Sequence, residues 1–255
     1  MFETLSAIAL TASASIVVAF LSHALARTSL GRLTVAGVLV GWFMLVLAIG
    51  ATGALDPARG IGVPGLGLTV ALPVAVLVVA FVSAPSIRNA MLAIPMPAMV
   101  AVNAIRSLGV IFLMLYAAGK LPAPFAPSAG WGDIFIGVTA LPLAWAMLRF
   151  GAPARALTLI WNMIGIADLV NAVALGALSA PGPLQVFAGP PSSALMTTLP
   201  WLLIPGFLVP CFMFLHVVIF YRLAKTEAAA PARPWLNDGA ARGNAARQSR
   251  GTAGA

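Results

Sequence analysis

Residues 34–54 read TVAGVLVGWFMLVLAIGATGA, twenty-one residues without a charge. As a helix this run is about 30 Å long at 1.5 Å per residue, the thickness of the hydrocarbon core of a bilayer. Comparable apolar runs lie near 5–25, 67–84, 98–118, 132–150, 156–178 and 201–222, separated by Gly, Pro and charged residues. The chain is 61% hydrophobic and 8% charged, with a mean hydropathy of +1.03. A soluble domain carries about 25% charged residues, so the expected fold is all-α, a polytopic transmembrane bundle of about seven spans within residues 1–225.

Lysine and arginine placement predicts the orientation. Arg27, Arg32, Arg88, Arg149, Arg155, Arg222 and Lys225 follow odd-numbered spans, against Arg59 and Lys120 in the alternate loops. The positive-inside rule then places the N-terminus outside and the C-terminus in the cytoplasm, in a bacterial cytoplasmic (inner) membrane. Tyr116, Trp131 and Trp201 fall at the expected outer interface, Tyr221 and Trp145 at the inner one. Ala24-Leu25-Ala26 resembles a signal-peptide cleavage site, but Glu3 and the lack of a basic leading region predict a retained first helix.

Pro85, Pro95 and Pro97 break the segment 86–97, which is read as a connector along the inner surface. The uncharged Pro/Gly-rich loop 179–200 is either a plain ordered loop or a lid. Residues 226–255 hold almost no large apolar side chains and are expected to form a disordered cytoplasmic tail, its arginines near anionic lipid. The net charge of +8 comes from short loops and this tail, not from a basic stripe interleaved with aromatics. The expected partner is therefore membrane lipid and not nucleic acid.

Gly37 and Gly41 form a small-xxx-small pair, ordinarily a helix-packing surface. Gly60–Gly65 satisfies GxGxxG but lies in an expected external loop, without the strand and soluble helix that a dinucleotide site requires. The single Cys211 has no disulfide partner and no metal-ligand spacing. Pro205 and Pro210 should kink the seventh span.

Function must sit where polar residues enter the bilayer: Asn103, Arg106, Asp133, Asp168 and Asn171, with Asn162 pointing roughly opposite Asn171. Rise per residue puts Arg106 roughly 12 Å and Asp168 roughly 18 Å from the cytoplasmic side, with Asp133 at the outer mouth of span five. An Arg106–Asp168 interaction is expected, with Asn103 and Asn171 nearby. Its first reading is a buried structural pair that fixes helix register; the alternative is a small-solute or proton-coupled transporter.

Two sharper readings concern enzymes and cofactors. Gly130-Trp131-Gly132-Asp133 matches the GxGD signature of intramembrane aspartyl proteases, with Asp168 as the second acid. Against it, the other Asp usually lies upstream, and the two carboxylates differ in estimated depth by roughly 10 Å. His23 and His216, both expected near cytoplasmic ends, are candidate axial haem ligands without a supporting motif. No catalytic residue, cofactor or metal is assigned, and a non-enzyme is the expectation.

Three segments, GWGDIFIG at 130–137, WNMIGIADLVNAV at 161–173 and LIPGFLVP at 203–210 followed by His216, resemble a group of uncharacterised bacterial multi-pass membrane proteins. The resemblance covers about 95 to 222, leaves out the first three spans, and implies no activity.

Overall fold

The structure, a computed structural model, describes residues 1–26, 28–56, 62–151 and 153–228. Among them the fold is all-helical, without strands, and seven helices are long and apolar enough to cross a membrane. They are α1 (Phe2–Leu25), α2 (Ser29–Thr52), α3 (Gly62–Ser83), a composite fourth span Met96–Ala117, α7 (Phe125–Phe150), α8 (Ala154–Leu178) and a seventh span beginning at Ile204. Arg27, Arg59, Gly60 and the tail beyond Ala228 lie outside the described residues.

Local chemistry sets the breaks. Thr28 caps α2, its Oγ1 accepting from Gly31 N at 3.1 Å. Gly53 closes the same helix at φ 66°, a left-handed conformation suited to glycine. Pro85 opens the short α4 (Pro85–Ala93). Within the spans, Ser13, Ser22 and Thr158 return their hydroxyls to Ala9, Val18 and Ala154 carbonyls at 2.7–2.9 Å, which satisfies them without water.

Two spans are irregular. The fourth runs as α5 (Met96–Ala101), a 3-10 helix Val102–Gly109, and α6 (Val110–Ala117). The seventh opens with a π-helical turn Ile204–Leu208 before α9 (Val209–Ala228). Pro205 lacks an N–H and crowds the preceding turn, and a widened turn accommodates both.

The core lies between the fourth span, α7, α8 and the seventh span, the last with Phe207, Cys211, Leu215 and Val218 fully buried. α1 contributes the stripe Leu10, Ala14, Val17 and Leu21, whereas α2 buries only Leu39 and Val46. Loop 179–200 folds back on the helix ends: Val186 and Phe187 donate to Leu178 O, and the buried Ser193 hydroxyl donates to Gly176 O at 2.5 Å.

Three expectations are corrected. A Cβ at Gly37 or Gly41 would meet nothing within 4 Å, so the small-xxx-small pair packs against no helix among the described residues. Trp201 is 2% exposed and stacks on Phe2 at 5.9 Å, inside the fold instead of at a lipid interface. α7 begins at Phe125, seven residues before the apolar run read from hydropathy, because Ala126, Ala129 and Gly130 are small enough to be buried against neighbours.

Candidate functional site

Arg106 stands in the 3-10 helix of the fourth span and is 4% exposed. Its Nε donates to Asp133 Oδ1 at 2.7 Å, and its Nη2 to Asp168 Oδ2 at 2.5 Å. Nη1 donates to Gly165 O at 3.3 Å and meets His216 Nε2 at 3.0 Å. Four of the five guanidinium N–H groups are thereby engaged, reaching α7, α8 and α9 from one side chain.

The contact with His216 fixes a tautomer. Arginine only donates, so Nε2 must supply its lone pair and the ring hydrogen sits on Nδ1. Nδ1–H then donates to Asn162 Oδ1 at 2.7 Å, and Asn162 Nδ2 donates to the His216 carbonyl at 3.1 Å. This reciprocal pair holds a neutral imidazole. One guanidinium therefore faces two carboxyl groups, and with both ionised the cluster carries one negative charge in excess.

Glycines let the helices close on it. A Cβ at Gly109 would lie 2.5 Å from Asp133 Cβ and 2.7 Å from Gly130 O. At Gly137 it would strike the Ser107 amide and lie 2.8 Å from the Arg106 carbonyl carbon; at Gly165 it would strike the His216 ring. The carboxylates sit at the edge of the packing, Asp133 with 17% and Asp168 with 9% of the side chain exposed. A cavity of about 40 Å³ lined by Arg106, Asp133, Phe112 and Leu208 adjoins the Asp133 side of the centre, enough for one or a few waters.

The other expected members, Asn103 and Asn171, each one turn from the ionic pair, bond elsewhere. Asn103 is fully buried, but its Nδ2 donates to Met99 O of its own span at 2.9 Å, and its Oδ1 has no partner among the described residues. Asn171 pairs with Ser128 on α7 at 2.8 Å, one turn from Asp168. Asp133 lies two turns inside α7 and shares Arg106 with Asp168, so the expected 10 Å depth difference is absent. The earlier start of α7 is the reason.

His216 and Asn162 join the centre without having been grouped with it. α9 extends to Ala228, twelve residues beyond His216, so this histidine is not near a helix end. Both its ring nitrogens are taken, and His23 is exposed at the end of α1, an arrangement that does not favour axial haem ligation. The guanidinium donates separately to each carboxylate, unlike a dyad whose acids share a proton.

Seven apolar helices, four of them joined at a buried ionic centre, define a multi-pass helical membrane protein. The chain belongs to the family described as a domain of unknown function, DUF8737, whose model matches residues 63–224 and so takes in the third span as well. No curated protein matches the chain, and neither does any solved structure.

Proposed function

We propose that the protein is a bacterial inner-membrane carrier, N-terminus outside, in which the Arg106–Asp133–Asp168 centre binds and releases one proton as a small solute is moved. The carrying observation is the charge count: one cation and two carboxyl groups around a neutral imidazole. A net charge in the bilayer interior costs several kcal/mol, on the order of 3 by insertion scales. A proton on either carboxyl restores neutrality without moving a helix. The two irregular segments support this reading, since mid-span 3-10 and π turns recur at hinges and functional sites. The 3-10 helix carries Arg106 itself, and Ile204 and Leu208 of the π turn line the cavity beside it. The sidedness rests on the lysine and arginine distribution alone.

The test is direct detection of the proton. Difference infrared spectra of the reconstituted protein across a pH titration should contain the carbonyl stretch of a protonated carboxyl, removed by Asp133→Asn or Asp168→Asn. A spectrum identical in wild type and both variants overturns the proposal.

A second reading is structural. One side chain ties the fourth span to α7, α8 and α9, as expected of a lock on helix register. Under it the Asn variants lose stability while proton binding stays as in wild type.

A further inference from the structure

Between α1 and α2 lies a groove of about 550 Å³ that the polar centre does not use. Towards its carboxyl half α2 is held against the seventh span, Trp42 and Phe43 packing on Phe207 at 4.7 and 5.5 Å, while small side chains such as Ala36 leave its flank towards α1 hollow. Much of the remaining surface of α2 is apolar and open, with Leu33, Val38, Met44 and Leu45 all more than half exposed. The groove therefore opens sideways between two lipid-facing helices.

Its lining changes along its length. His23 and Arg32 stand at one end, beside the short turn joining the two spans, within about 5 Å of the helix ends along the axis. Further along, the lining includes Val18, Val40, Phe43 and Ser15, whose hydroxyl is returned to Thr11 O at 2.9 Å, with Phe43 roughly 21 Å along α2. A turn between two spans sits at a membrane surface, so the polar end is interfacial and the apolar end points to the bilayer centre. Arg32 donates Nε to Ala26 O at 3.1 Å, which holds the guanidinium across the turn, and its Nη groups have no partner among the described residues. The carboxyl end of α1 and the amino end of α2 meet at this corner with opposing dipoles, so the positive charge there is that of the Arg32 side chain. Glu3 and Asp56, the only acidic residues up to the end of the turn after α2, lie at the opposite ends of these two helices.

We infer that this groove is a binding site for one anionic phospholipid, its phosphate between Arg32 and His23 and an acyl chain against Val18, Val40 and Phe43. Sign of charge, polarity gradient and lateral opening all match that ligand. A zwitterionic lipid would place a cationic group beside Arg32, and a soluble anion would leave the apolar length bare.

The experiment uses the full chain in mild detergent, with phosphatidylglycerol and phosphatidylcholine as probes and native mass spectrometry as the readout. Wild type should retain phosphatidylglycerol over phosphatidylcholine by a factor on the order of five per basic residue engaged. Arg32→Gln with His23→Gln should erase the preference while lipid still binds. Ala36→Trp, which fills the groove, should lose the bound lipid, whereas Met44→Trp on the open face of the same helix should keep it. Circular dichroism and monodisperse elution of each variant establish that it is folded. Equal retention of the two lipids by wild type, retention unaffected by Ala36→Trp, or a second copy of the chain covering this face in place of lipid would each overturn the inference.

Discussion

Gly132 of α7 faces the Asp168 carboxylate of α8 so closely that a methyl group on Gly132 would overlap its oxygens. The glycine is a steric requirement of the ionic centre. Gly132→Ala should force the carboxylate off Arg106 and cost about 1–3 kcal/mol, the usual range for overpacking. Thermal unfolding in detergent measures it. Gly37→Ala, with open space around the new methyl, is the control and should be neutral or slightly stabilising.

Removing Arg106 strands two carboxylates. Arg106→Met should destabilise the protein by about 3–5 kcal/mol, the range for breaking a buried ion pair by deleting one partner. Adding Asp133→Asn and Asp168→Asn to Arg106→Met should recover a large part of that loss. A triple variant no more stable than the single one would show that the loss lies in packing around Arg106 and not in charge.

His216 and Asn162 exchange two hydrogen bonds, so their deletions should not add. A double-mutant cycle with His216→Phe and Asn162→Leu should give a coupling of about 0.5–3 kcal/mol, as for residues in one bonded network. A value near zero would mean that the imidazole is oriented by Arg106 alone.

Proton movement separates carrier from lock. In proteoliposomes with a trapped pH-sensitive dye and an imposed membrane potential, wild type should acidify the lumen faster than Asp133→Asn or Asp168→Asn. Lys120→Ala, which breaks only the exposed bond to Glu3, should behave as wild type. Equal rates in all four proteins would favour the structural reading.

Sidedness is measurable because the native thiol of Cys211 is buried. Leu184→Cys, on the exposed surface of loop 179–200, should react with a membrane-impermeant maleimide added to intact cells, and the wild-type protein should not. Labelling only after lysis would reverse the orientation proposed from Lys and Arg counts.

The seven spans were legible from sequence because transfer of an apolar side chain into lipid is a local property, summed along twenty or so residues regardless of what packs nearby. The same local accounting singled out Arg106, Asp133 and Asp168 as groups that could not face lipid. It misplaced Asp133 because the small residues from Ala126 to Gly130 carry little hydropathy, though they form the first turns of α7. It passed over His216 and Asn162 as partners because neither carries an obligatory charge that must be paired within the bilayer.

Which side chains meet was decided by tertiary structure. Projecting a uniform helix at about 100° per residue fails through Val102–Gly109, where a 3-10 helix turns by about 120° and the phase drifts by roughly 160° over eight residues. That drift, the π turn at Pro205 and the close approaches at Gly109, Gly132, Gly137 and Gly165 bring one guanidinium within reach of two carboxyls and an imidazole. Apolarity along the chain thus specifies that it crosses lipid, whereas the charge balance of its centre depends on distances between helices, which no single helix encodes.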